Sequence, residues 1–253
     1  WYKEYDGGRA FYTGGGHTSE SFSEALFLYH LLGGIRYAIG ANQPLDYSKA
    51  YSDLMPEENR FTKVVFKQNL NEPMELDFLD ENRILWVERK GGLHIYNLET
   101  AQTQTLPFHE VHTGHEDGLL GVAVDPNYAE NHWVYFFYSP KVDEAKQHVS
   151  RFILENDSLY LASEKVLLEI ATQREECCHS AGSLEFGPEG NLFISVGDNT
   201  NPHESDGFGP IDEREGRSPF DAQKSSANTQ DLRGKILRIR PEADGSYSIP
   251  EGN

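Results

Sequence analysis

A strand–turn–strand unit that occurs three times limits how this chain can fold more than anything else in it. Glu75-Leu76-Asp77-Phe78 leads through a turn to Ile84-Leu85-Trp86-Val87. Gly121-Val122-Ala123-Val124 leads past Asp125-Pro126-Asn127 to Trp133-Val134-Tyr135-Phe136-Phe137. Ser183-Leu184-Glu185-Phe186 leads past Gly187-Pro188 to Leu192-Phe193-Ile194-Ser195-Val196. A third β run follows each pair, over 93–96, 149–154 and 235–239. Leu76, Val122 and Leu184 are equivalent, 46 and then 62 residues apart. Periods of about 40–50 residues with several strands each are the mark of propeller blades, and an insertion explains the longer period. A sandwich would show strands without such a unit. The chain is therefore expected to be mainly β, with about three blades of a β-propeller over 61–253. Three blades do not close a ring.

The third unit carries the sharpest chemistry. Its hairpin begins just after His179 and ends at Asp198, with Gly187-Pro188-Glu189-Gly190 as the turn. Paired strands bring their outer ends together, which puts this His and this Asp on one rim of the sheet. A carboxylate accepting from one imidazole nitrogen fixes the tautomer and leaves the other nitrogen as a base. The plainer alternative, a polar rim histidine and an Asp that closes a turn, stays open on spacing alone.

Charge and cysteine usage narrow the partners. With 41 Asp+Glu against 22 Lys+Arg the formal charge is −19. A phosphate backbone would be repelled, so nucleic acid is not an expected partner. No run of about 18 apolar residues is present, so no membrane span is expected. The only cysteines, Cys177 and Cys178, are adjacent. Zinc sites want intervening residues, which makes zinc through Cys177, Cys178 and His179 geometrically poor; no metal ligand is assigned. A polar insertion, about 200–233, separates the second and third strands of the last unit. Its carboxylates (Asp206, Asp212, Glu213, Glu215, Asp221) lack the alternating spacing of a calcium loop and are expected to be solvated.

The first forty residues read differently. Residues 9–13 suit a strand, Gly14-Gly15-Gly16-His17 a turn, and Ser21-Phe22-Ser23-Glu24 a capping box that starts a helix. Gly33-Gly34 are expected to stop that helix. The run YDGGRAFYTGGGHTSESF…LFLYHLLGGIRYAIG resembles the C-terminal end of a trehalose-utilisation (ThuA-like) domain, an α/β fold of glutamine-amidotransferase type. His17 stands at that family's G-H-T histidine and is a candidate site residue by this resemblance alone. The expected organisation is the end of a ThuA-like domain over 1–40, a linker over 41–60, and a half propeller over 61–253. The whole reads as a fragment of a larger fusion protein.

Residues 61–253 resemble the soluble glucose/sorbosone dehydrogenases through HEDGLLGVAVDPNY (115–128), CHSAGSLEFGPEGNLFISVGDN (178–199) and LRGKILRI (232–239). The resemblance implies a six-bladed propeller that uses pyrroloquinoline quinone (PQQ) and calcium. It implies that His179 is the general base and Asp198 the carboxylate that holds it. The substrate would be an aldose oxidised from hemiacetal to lactone, with electrons passed to an external acceptor such as a cytochrome. The location would be periplasmic or secreted. The calcium ligands and quinone clamp are expected beyond residue 253. Two positions depart from the family pattern. Glu116 replaces the Gln of a GQNGLLG-like motif, and Cys178 replaces an Asp before the base; both are candidate cofactor-binding residues. Two other readings remain: a non-catalytic propeller that binds carbohydrate or a protein, and a hydrolytic site built on His115, Glu116 and Asp117.

Overall fold

A computed structural model of the chain describes residues 2–5, 8–16, 18–40, 62–203 and 205–252. His17 and the expected linker, 41–60, lie outside the described residues. The chain divides into two compact units, Trp1–Val64 and Val65–Asn253.

In the first unit β1 (Tyr2–Tyr5) pairs antiparallel with β2 (Gly8–Phe11), Tyr2 opposite Phe11. The strand expected over 9–13 therefore sits at 8–11, matched in length to its partner. A 3₁₀ turn, Ser21–Ser23, precedes α1 (Ala25–Ile39). Glu24 is the N-cap residue and no side chain caps the helix, so the expected capping box does not form. Gly33-Gly34 do not stop α1 either. A Cβ on Gly34 would lie 2.1 Å from the Phe11 ring, so this glycine is there for close packing against β2. The helix ends instead at Gly40, whose φ of 100° closes its last turn.

The second unit holds three four-stranded antiparallel meanders. The first is β3 (Pro73–Asp80), β4 (Arg83–Glu88), β5 (Gly92–Asn97) and β6 (Gln102–Leu106). The second is β7 (Leu119–Val124), β8 (Trp133–Tyr138), β9 (Lys146–Glu155) and β10 (Ser158–Ala171). The third is β11 (Leu184–Phe186), β12 (Leu192–Val196), β13 (Lys235–Pro241) and β14 (Tyr247–Ser248). They pack face to face as blades of a β-propeller. The middle blade is covered on both sides, which explains why β8 reads as a continuous apolar run instead of an alternation. Its Val134 and Phe136 pack on Leu85, Val87 and Leu93 of the first blade. Its Tyr135 and Phe137 pack on Leu184, Leu192 and Ile194 of the third. All of these are essentially sealed from solvent, and each such side chain contributes roughly 1.5–3 kcal/mol by burial.

The first strands of the three blades are tied together by one carboxylate. Glu75 on β3 accepts from Val122 N (2.8 Å) on β7, from Leu184 N (3.2 Å) on β11, and from the Ser183 hydroxyl. Asp77 repeats the device once, accepting from Val124 N at 2.7 Å. Burial raises the Glu75 pKa above its ordinary 4.5. A raised folded value favours folding below the unfolded pKa, and that contribution is lost as pH rises through the folded one. Glu75→Gln keeps the acceptor for both amides and donates to Ser183, so its stability relative to wild type should improve as pH rises from 4 to 7. Glu75→Ala strands two amides and should cost about 2–5 kcal/mol. Denaturant melts of the three proteins across that pH range test both; a wild-type-minus-Gln difference flat in pH would refute the buried-charge account.

Candidate active site

The expected β11–β12 hairpin forms, with Leu184 opposite Ile194 and Phe186 opposite Leu192. Beyond its open end the two chains continue to bond. Ser195 N donates to Ser183 O at 3.0 Å, Gly197 N to Ser180 O at 3.4 Å and Asn199 N to His179 O at 3.2 Å. This brings His179 Nδ1 to 2.8 Å from Asp198 Oδ1. The His179 side chain is 46% exposed and that of Asp198 20%. Thr200 N also donates to Asp198 Oδ1 (3.1 Å), and Ser225 Oγ donates to the Asp198 carbonyl (3.0 Å). The carboxylate is thus oriented by its own backbone, and an imidazole held through Nδ1 keeps Nε2 for a substrate proton.

Close backbone approach makes this rim possible. A Cβ on Gly197 would lie 1.7 Å from the His179 carbonyl oxygen. His179 (φ 57°) and Ala181 (φ 53°) are both left-handed, and Gly182 follows at φ 136°. Two non-glycine residues in that region persist only where the surroundings over-determine the loop. The surroundings here come from the second blade. Glu116 Oε2 accepts from Ser180 N at 3.1 Å, and the buried Asp117 accepts from Ser180 Oγ at 3.1 Å. His179, Asp198 and Glu116 therefore meet at the seam between the second and third blades.

Cys177 and Cys178 are joined as a disulfide between neighbours, with Cys178 9% exposed. Their sulfurs and a Glu116 oxygen lie within 4.8 Å of one another, the one such group among the described residues. Bonded sulfurs beside a single carboxylate do not suit calcium, which takes six to eight oxygens. The residues His115, Glu116 and Asp117 do not converge on a hydrolytic centre. Asp117 turns inward to His112 (3.0 Å) and Arg174 (3.0 Å), while Glu116 is engaged on Ser180. Asp117 had no individual role assignable from the chain; its partners lie 5, 57 and 63 residues away.

The long insertion is organised around one carboxylate that is not solvated as expected, Asp212, while Asp206, Glu213 and Glu215 stay exposed to solvent. Asp212 is fully buried and takes Ser205, Arg214 and Arg217, whose guanidiniums lie over Phe208 and Phe220 at 4.1 and 4.0 Å. Hydrogen bonds from Arg214 hold the Asp212 carboxyl well below the usual range. Asp206 pairs with Arg214, Glu213 accepts from Gln223, and Asp221 caps the short helix Ala222–Ser226 through Gln223 N. Of the five carboxylates, Asp212 alone is buried. The insertion also walls a polar cavity of about 230 Å³ beside Asp198, lined by Thr200, Ser218, Lys224, Ser225 and Arg233.

Residues 70–253 match the family model described as Glucose / Sorbosone dehydrogenase, and residues 1–38 that described as Trehalose utilisation. Quinoprotein glucose dehydrogenase B of Acinetobacter calcoaceticus is 27% identical over 220 residues, 83% of this chain and 43% of that protein. Human hedgehog-interacting protein is 26% identical over 192 residues, 68% of this chain and 25% of that one. The PQQ-bound form of an aldose sugar dehydrogenase from Streptomyces coelicolor superposes with a TM-score of 0.55 at 24% identity, over 73% of this chain and 48% of that one. The chain thus spans less than half the length of these relatives. With the family model covering most of its length and the blades matching in space, the chain belongs to the Glucose / Sorbosone dehydrogenase family.

Proposed function

We propose that this chain carries the base-bearing part of a PQQ-dependent aldose dehydrogenase. The observation that supports this is the His179–Asp198 pair at 2.8 Å, with the imidazole ring half exposed on the blade rim. His179 Nε2 takes the proton of the sugar's anomeric hydroxyl. Asp198 holds the ring in the tautomer that leaves Nε2 unprotonated, then stabilises the imidazolium that forms. The quinone, when bound, supplies the two-electron acceptor for the hydride that leaves C1, so that hemiacetal becomes lactone. Glu116 and the Cys177–Cys178 ring are the candidate neighbours of that group in this chain. The two guanidiniums that reach the loop, Arg89 and Arg174, are engaged on Glu72, Asp117 and backbone carbonyls. The carboxylate clamp of the quinone and the calcium ligands are not assigned to described residues.

The electrons would pass to an external acceptor such as a cytochrome, and the location would be periplasmic or secreted. We read 1–40 as the end of a ThuA-like domain, 41–60 as a linker and 61–253 as the first half of the propeller. A second reading, a non-catalytic propeller binding carbohydrate or protein, draws support from Glu116 and Cys178 and from the likeness to hedgehog-interacting protein. The two separate on reconstitution of the full-length protein with PQQ and Ca²⁺, followed by dye reduction across a panel of aldoses. Turnover of any aldose supports the dehydrogenase; no PQQ binding at all leaves the binding module.

A further inference from the structure

We propose that Asp117 is a positioning residue for His179, acting through Ser180. The proposal rests on the reading of His179 as the base. His179 and Ala181 are both held at positive φ, and Ser180 is the residue between them. Ser180 is 4% exposed and is gripped at every polar atom. Its Oγ donates to Asp117 Oδ1 (3.1 Å), its N to Glu116 Oε2 (3.1 Å), and its carbonyl accepts from Gly197 N (3.4 Å). Two of those three holds come from the neighbouring blade. They fix where the left-handed residue before Ser180 aims its side chain.

Asp117 is itself built to stay in place. It is 5% exposed, and its Oδ2 accepts from His112 Nδ1 and from Arg174 Nε, both at 3.0 Å. Its backbone N donates to Gly114 O (3.0 Å), and Arg89 donates to its carbonyl (2.8 Å). Arg174 is anchored in turn on the carbonyls of Pro140, Val142 and Glu144. The charged and titratable groups facing this knot are His112, Arg174, Arg89 and Glu116, with Asp198 facing His179 itself. A carboxylate with a fixed cation on one oxygen and one hydroxyl on the other is a rigid peg. The peg lies in the connection that leads into the second blade, and the base in the connection that leads into the third.

The test reads His179 directly. In ¹⁵N-histidine spectra of the full-length protein, wild type should show His179 as a single neutral tautomer with the proton on Nδ1. Ser180→Ala, which removes only the hydroxyl, and Asp117→Ala should convert that signal to a tautomer mixture. Phe136→Ala, which loosens the core between the first and second blades, should lower the melting temperature and leave the tautomer intact. An unchanged His179 signature in Ser180→Ala and Asp117→Asn would overturn the proposal, whatever happens to the melt. If Asp117→Ala fails to fold, Ser180→Ala decides alone. A tautomer released in these variants, while the wild-type protein itself turns over no aldose, sustains the positioning role and defeats the dehydrogenase reading. Turnover with an unmoved tautomer does the reverse.

Discussion

His179→Ala is expected to lower kcat for aldose oxidation by about 10²–10⁴-fold, the span usual for loss of a positioned general base. The loss should fall on kcat, since the imidazole takes its proton only as the C–H bond breaks. Asp198→Asn should cost less. Asp198 Oδ1 serves both His179 Nδ1 and Thr200 N. An amide oxygen in that place can still accept both bonds, so orientation survives and only the charge opposite the forming imidazolium is lost. Steady-state dye reduction at saturating sugar ranks the three proteins. Equal losses would mean that charge, not orientation, is what Asp198 provides. Wild-type turnover in His179→Ala would remove the base assignment.

Gly197→Ala should be nearly as damaging to turnover although it removes no reacting group. The added methyl would sit 1.7 Å from the His179 carbonyl oxygen and 2.5 Å from its carbon, and backbone cannot swing aside as a side-chain tip would. The strand ends must part, and the 2.8 Å His179–Asp198 bond parts with them. Overpacking of this kind costs about 1–3 kcal/mol. Gly121 makes the matching approach one blade away, with a Cβ 1.9 Å from Gly182 O, and Gly121→Ala should loosen the same loop from its other side. Turnover and thermal melts of both variants are the measurement. Unimpaired turnover in Gly197→Ala would show that the dyad does not depend on this approach.

The blades were legible because their second strands, β4, β8 and β12, are largely buried, which writes apolar runs into the chain. The outer strands were not. Gln102–Leu106 reads QTQTL and Tyr247–Ser248 is exposed, so neither carries a hydrophobic pattern. The approach of His179 to Asp198 was readable since a hairpin joins nearby residues by a short, regular path. Asp117 was not, because Arg174 and Ser180, 57 and 63 residues away, reach it only once the fold has brought distant segments together. Gly33-Gly34 misled for a related reason: a glycine pair reads as punctuation until the ring it must admit, Phe11, comes into view from 23 residues upstream. In the insertion, net acidity hid the fact that Arg214 and Arg217 lie within reach of Asp212.

Glu75 has a bearing on the time course of assembly. Hydrogen bonds within a meander link neighbouring strands and can form as soon as each hairpin is complete. The bonds of Glu75 span 47 residues to Val122 and 109 to Leu184. Closing loops of that length costs chain entropy before any contact repays it. The carboxylate can therefore complete its set of partners only once the start of the third blade is present beside the first. The blades repeat in sequence, yet their first strands are joined by a contact that no single hairpin can make.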